Sequence, residues 1–225
     1  MENPVSNPAR GANGGVVYEQ PNAVYARSTK RVFDLVISIM LLPILIPIIA
    51  VLYVRVRMSG GAGFFGHNRI GKNGRVFRCW KVRTMVPDAE ERLQALLASD
   101  PVARKSWDMD RKLRDDPRVT KFGEFLRKTS LDELPQIFNV LKGDMSLIGP
   151  RPVTPDELEK YGAYSKIYLA MRPGVTGLWQ VSGRNDVSYT ERVMLDRRYF
   201  ATMSLRVDLG VLFKTVGAVL RRTGI

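Results

Sequence analysis

Two adjacent carboxylates, Asp132 and Glu133, stand in the run Arg127-Lys-Thr-Ser-Leu-Asp-Glu-Leu-Pro-Gln-Ile-Phe-Asn-Val-Leu-Lys-Gly-Asp-Met-Ser-Leu-Ile-Gly-Pro-Arg-Pro152. Their spacing places them where a helix begins, and two registers fit. Either Ser130 caps the helix with Glu133 three residues on, the spacing of a capping box, or Pro135 takes the first helical position, since deeper in a helix its ring clashes with the carbonyl four residues back. Both registers leave the acids at the positive end of a helix that carries Ile137, Phe138, Val140 and Leu141 and stops at Gly143. That position favours ionised carboxylates near neutral pH, and the free N–H groups there suit a phosphate. Acids in a first helical turn commonly do no more than complement the dipole, so the surroundings decide. Arg127 and Lys128 precede the pair, and Arg151 is presented from a Gly-Pro-Arg-Pro loop stiffened by Pro150 and Pro152. Carboxylates framed by arginines suit phosphoryl transfer, in which positioning and charge stabilisation supply most of the catalysis.

Other segments must bring further groups to these acids. Gly60 to Met85 reads as a β-hairpin, with Phe64, Phe65 and Ile70 on one arm and Val76, Phe77, Trp80 and Val82 on the other. Lys72-Asn73-Gly74 forms its turn. Its charges are basic (Arg69, Lys72, Arg75, Arg78, Lys81, Arg83), either a solvated strand face or one wall of a phosphate site. Amphipathic helices are expected over Pro87–Ala98 and Val102–Leu113, with others at Lys121–Arg127 and Thr154–Tyr161. Arg118 closes a charged turn whose acids and bases can satisfy one another. The stretch from Arg172 to Asn185 places Gly174, Gly177 and Gly183 beside the polar residues Arg172, Gln180 and Arg184. It is either a loop with structural glycines or a place where backbone closes on a ligand. Asp196 precedes Arg197 and Arg198, either of which can pair with it.

Leu35 to Val54 is a run of 20 residues without a charge, long enough to cross a bilayer. Pro43 and Pro47 fall in its middle and bend a helix there. Arg27, Lys30 and Arg31 precede it and Arg55 and Arg57 follow it, which places both ends on the cytoplasmic side. A re-entrant helix-break-helix meets all three observations, and a kinked transmembrane helix is the alternative. Near the C-terminus, apolar residues at 205, 209, 212, 213, 216 and 220 form a helical stripe suited to the membrane interface or to the core. Residues 1–29 read as a mobile or loosely docked arm, 30–58 as the membrane segment and 59–225 as a cytosolic catalytic domain. The expected class is α+β, mainly helical, with a β-hairpin and surface amphipathic helices.

Composition narrows the partners. Thirty-five Lys+Arg against 22 Asp+Glu leave +13, so anionic partners are expected: nucleotides, nucleic acid or anionic lipid. No helix-turn-helix, zinc finger or aromatic RNA-binding motif is visible, and nucleic acid is set aside. His67 is the only histidine and Cys79 the only cysteine, which excludes a histidine-rich metal site and an intrachain disulfide. Both are read as packing or hydrogen-bonding residues.

Ser-Leu-Asp-Glu-Leu-Pro-Gln, Asn-Val-Leu-Lys-Gly-Asp-Met-Ser and Gly-Pro-Arg-Pro together resemble the bacterial polyprenyl-phosphate sugar-1-phosphate transferases, small monotopic phosphoglycosyl transferases. The resemblance runs from about Lys30 to about Arg222. Within the family, the chain is most similar to the galactosyl-1-phosphate transferases that initiate succinoglycan-like exopolysaccharides. The resemblance implies a membrane break at Pro47, with Ile46 where relatives often carry serine. Lys81-Val-Arg83-Thr-Met is similar to the family's Lys-Phe-Arg-Thr-Met, which implies that Lys81 and Arg83 join Arg127 and Arg151 on phosphates. Arg172, Gly174, Gln180, Arg184 and Asp196 fall on segments implied to hold the nucleotide-sugar. The activity implied is transfer of hexose 1-phosphate, galactose first, from a UDP-sugar to undecaprenyl phosphate with release of UMP. It would take place at the cytoplasmic face of the inner membrane. Asp132 is then the nucleophile, Glu133 the neighbouring base or metal ligand, and Mg²⁺ the cation shared by Asp132 and Glu133 with the diphosphate. Membrane lipids, and a second copy of the chain, complete the expected partners. The rivals are a UDP-N-acetylhexosamine or UDP-glucose donor, or a basic membrane scaffold without catalysis.

Overall fold

A computed structural model describes residues 25–110, 113, 116–182 and 187–220. Arg184 and most of the N-terminal arm lie outside these residues, as does the side chain of Arg27. Nine α-helices and four strands are described: α1 (Lys30–Arg57), β1 (Phe64–Ile70), β2 (Val76–Val82), α2 (Ala89–Ser99), α3 (Pro101–Asp110), α4 (Lys121–Thr129), α5 (Gln136–Lys142), β3 (Ser146–Ile148), α6 (Pro155–Glu159), α7 (Ser165–Ala170), β4 (Gly174–Thr176), α8 (Tyr189–Thr202) and α9 (Leu205–Leu220).

The hairpin forms as the sequence predicts: β1 and β2 pair antiparallel from Phe64↔Val82 to Ile70↔Val76. Asn73 and Gly74 turn the chain in left-handed backbone, at φ of 58° and 77°, which asparagine and glycine tolerate best. The sequence did not reveal a second pair, β3 with β4, which is parallel and matches Ser146 to Gly174 and Ile148 to Thr176. These strands sit so close that a Cβ on Gly149 or Gly174 would strike the facing backbone. Val140, Met145 and Ile148 fill the core between this pair and α5.

The membrane segment forms one helix, α1, from Lys30 to Arg57, with Pro43 and Pro47, the expected break positions, inside it. Each proline removes one ladder hydrogen bond, and packing on either side holds the helix together. Asp34 and Ser38 are buried near its start, and Ile49, Leu52 and Val56 near its end. These positions recur at helical spacing and make one stripe laid against the domain. The outward face is apolar, with Val36, Ile39, Met40, Ile44, Val51 and Val54 all exposed. α9 shows the same inversion. Asp208 and Val211 point inward, while Leu205, Leu209, Phe213 and Val216 of the apolar stripe point out.

A buried ionic network ties these two helices to the core. Asp34 accepts from Ser146 Oγ at 2.8 Å and from the Leu147 N–H at 3.1 Å. Asp208 accepts from Tyr25 at 2.6 Å and from Tyr199 at 2.7 Å. Lys30 sits between the two acids, 3.1 Å from Asp34 and 2.8 Å from Asp208.

Candidate active site

The acids lie in a single turn of 3₁₀ helix, Leu131–Glu133, between α4 and α5. Ser130 does not cap α5. It adopts left-handed backbone at φ 58° and closes α4 through its own N–H. Pro135 stands at the N-cap of α5, one residue ahead of the first helical position that the second register gave it. Asn139, one turn into α5, fastens this segment to the hairpin. Its Oδ1 accepts from the Trp80 N–H at 3.0 Å, and its Nδ2 donates to the Arg78 carbonyl at 2.8 Å. That clamp sets β2 beside the acids and brings Lys81 to them from 52 residues away along the chain.

Lys81 Nζ lies 2.6 Å from Glu133 Oε1 and 3.5 Å from Asp132 Oδ2. Beside this cluster opens a shallow cleft lined by Lys81, Glu133, Arg69, Gln136, Arg151 and Gln180, among others, with Asp132 set behind its lining residues. Arg151 arrives on the loop after β3, and Gly174 and Gln180 arrive from β4 and the turn after it. Arg69 reaches in from β1, held at 2.9 Å by Glu157. Glu157 is fixed in turn by a capping box with Thr154 at the start of α6.

The two acids differ electrostatically. Burial pushes the Asp132 carboxyl up, against the pull of Lys81 and Arg127. Burial acts on Glu133 as well, yet Lys81, Arg151 and Arg69 outweigh it and hold that carboxyl below the usual range. Asp132 is therefore the acid whose charge burial opposes, and Glu133, on the cleft wall, the one whose charge its neighbours favour. Burial also pushes the Cys79 thiol up to about 11, so it stays protonated at neutral pH.

The Lys81 ammonium occupies the space between the two carboxylates, so a metal ion there would have to displace it. Their hard oxygen donors suit Mg²⁺, which commonly takes one or two carboxylates together with substrate phosphates. Among the described residues no group of three His, Cys, Asp or Glu could hold a metal, so an ion at Asp132 and Glu133 would need oxygens from a ligand.

The remaining sequence candidates fall in different places. Arg127 stays near Asp132 but donates to Thr84 Oγ1 at 3.0 Å. Arg83 turns away from the cleft and donates to the Val56 and Gly60 carbonyls at the end of α1. Arg172 donates to the Gly143 carbonyl at 2.9 Å, which closes α5. Asp196 forms no ion pair with Arg197 or Arg198 among the described residues. It is buried and accepts from Tyr161 at 2.8 Å, and burial pushes its carboxyl up to about 7. Arg118 pairs with its neighbour Asp116 at 2.7 Å. Sequence reasoning missed Arg69 and Gln136 as cleft residues; Arg69 was one of several basic hairpin positions, and only the strand register shows which of them turn inward.

Comparison with known proteins bears on this geometry. A Salmonella typhimurium protein named undecaprenyl-phosphate galactose phosphotransferase is 54% identical over 199 residues, 88% of this chain and 42% of that protein. An Erwinia amylovora UDP-galactose-lipid carrier transferase is 52% identical, with the same two coverages of 88% and 42%. The chain thus spans under half the length of these two relatives. The exopolysaccharide production protein ExoY of Sinorhizobium fredii is 51% identical over 192 residues, 85% of each chain. The family model described as bacterial sugar transferase matches residues 25–222, carboxylate pair and cleft loops included, and the chain belongs to that family.

Proposed function

We propose that the protein transfers hexose 1-phosphate, with galactose 1-phosphate as the first candidate, from a UDP-sugar to undecaprenyl phosphate, releasing UMP as the first step of exopolysaccharide assembly. The observation that carries this reading is the pair Asp132–Glu133, bridged by Lys81 in a cleft whose other charged lining residues, Arg69 and Arg151, are cationic. A scaffold that only attracts anionic lipid has no use for two acids set within its basic groups. The names of the two longer relatives, with 52% and 54% identity, supply galactose and the lipid carrier.

In the first half-reaction an oxygen of Asp132 attacks the sugar-linked phosphorus. The bond from that phosphorus to the UMP oxygen breaks, and UMP leaves with the electron pair. In the second, an oxygen of the lipid phosphate attacks the same phosphorus and releases the Asp132 carboxylate. The lipid phosphate is already anionic at neutral pH, so no base is needed to activate it and Asp132 is free to act as nucleophile. Arg151 and Arg69 neutralise the diphosphate, and Lys81 keeps the acids charged in a setting where burial opposes it. When Mg²⁺ is bound at Asp132 and Glu133, it adds charge neutralisation at the diphosphate.

The attachment we propose is to one leaflet, at the cytoplasmic face. In support, α1 is about 42 Å long and is tied to the same body near both ends, through Asp34 at one and Val56 at the other. A helix spanning the bilayer would leave the domain at one end. The outward apolar faces of α1 and α9 can sit in the interface while the cleft stays in water, within reach of a lipid phosphate. Release of UMP from a panel of UDP-galactose, UDP-glucose and UDP-N-acetylhexosamines with polyprenyl phosphate tests the reading. Turnover greatest with UDP-galactose supports it. A higher rate with an N-acetylated sugar changes the donor, and no UMP from any of them overturns the activity.

A further inference from the structure

Lys81 in the cleft is committed to the two acids, Arg69 to Glu157, and Gln180 Nε2 to the Val175 carbonyl at 3.3 Å. Among the described residues, two cleft donors, Arg151 and Gln136, make no side-chain hydrogen bond or ion pair with the protein. Arg151 belongs to the phosphate-binding set already argued. Gln136 does not, and its position is unusual. The residue is only 3% exposed, yet its amide has no protein partner and is not sealed in the core. The head opens into the cleft. A buried amide without a partner is costly, and Gln136 does not cap α5, whose start carries no side-chain cap.

Gln136 follows Glu133 by three residues and lines the same cleft, together with Lys81 and Arg151. A diphosphate held there by those cations lies beside this amide. A neutral amide also differs from the surrounding cations. It offers two N–H donors without drawing Asp132 or Glu133 into a further ion pair.

We infer that Gln136 is a substrate-contacting residue whose amide N–H donates to a nonbridging oxygen of the donor diphosphate, at the phosphorus Asp132 attacks. This rests on the nucleotide-sugar reading of the cleft. Fixed donors of this type are most effective where negative charge grows in the transition state.

The test is Gln136→Met, which keeps length and removes the donor, read by UDP affinity, kcat/KM for the UDP-sugar and thermal melting. UDP binding should weaken about tenfold, as for loss of a hydrogen bond to a charged group. kcat/KM should fall about 100-fold. The melting temperature should hold or rise, because no protein contact is lost. UDP affinity and kcat/KM both within twofold of the unmodified protein would overturn the assignment. So would a marked fall in melting temperature with UDP affinity retained, which would make the amide structural. If the unmodified protein releases no UMP yet Gln136→Met still weakens UDP, the transfer reading falls and the contact stands. If the unmodified protein binds no UDP, the contact falls too.

Discussion

The molecule buries acids in two places and treats them differently. At the start of α1, Asp34 and Asp208 are 1% and 0% exposed, and every carboxylate oxygen has a protein partner among Ser146, Leu147, Tyr25, Tyr199 and Lys30. At the cleft, Glu133 on its wall and Asp132 behind it share one ammonium, while Arg151 and Gln136 line the opening without side-chain hydrogen-bond partners among the described residues. The first network is closed, as a structural joint requires; the second is left open for a ligand to complete. The contrast separates anchoring from chemistry more sharply than burial does, since three of these four acids are buried to similar degrees.

Substitutions can break the contrast or sharpen it. Asp132→Asn keeps the shape and removes the nucleophile, so transfer should fall on the order of 10⁴-fold or more, with melting and donor binding largely retained. Initial rates of UMP release and a melting curve check both halves. In the closed network the effect should reverse. Lys30→Met leaves Asp34 and Asp208 buried without their shared cation, and should cost roughly 3–5 kcal/mol of stability. Urea unfolding measures that loss, and the fraction still folded should keep its kcat. A Lys30→Met protein of normal stability and low kcat would dissolve the distinction.

Arg151 and Arg83 supply a finer comparison between two arginines that the sequence treats alike. Arg151→Ala should lower kcat/KM for the UDP-sugar roughly 10- to 100-fold, as for loss of a hydrogen bond to a charged group. Arg83→Ala removes donors to the end of α1 and should leave kcat/KM within about threefold while lowering the melting temperature.

A pH-dependent effect concerns Asp196. Burial raises its carboxyl from 3.8 to about 7, so between those values the folded state holds a proton that the unfolded state has lost. The stability this gives is full below the unfolded value and is lost as pH rises to about 7. Relative to Asp196→Asn, the unmodified protein should lose up to about 1.4 kcal/mol per pH unit across that window and then level off. Unfolding curves of both proteins at pH 5, 6, 7 and 8 measure the difference.

Much of this was legible in the chain because the signals are local. The Lys72-Asn73-Gly74 turn, the acids before α5 and the apolar run of α1 each depend on neighbours within a few residues. What the sequence hid is long-range. Lys81 reaches Glu133 because Asn139 pins α5 to β2, and no spacing reveals a clamp across about 60 residues. The path of Arg83 was hidden for the same reason. Packing of Asp34, Ser38, Leu52 and Val56 holds α1 together through two prolines, and the end of that helix captures Arg83. The parallel pair β3 and β4, three residues each, is too short to leave a periodic signal, yet it delivers both Arg151 and Gly174 to the cleft.

The central claim is that Asp132 carries the sugar phosphate between donor and lipid. Protein incubated with a UDP-sugar labelled in the sugar, without acceptor, then quenched in acid and digested, tests it directly. Label should appear on the peptide containing Asp132 in the same amount as the UMP released, and should leave when polyprenyl phosphate is added. UMP that forms only in the presence of acceptor, with no labelled peptide, would contradict the claim.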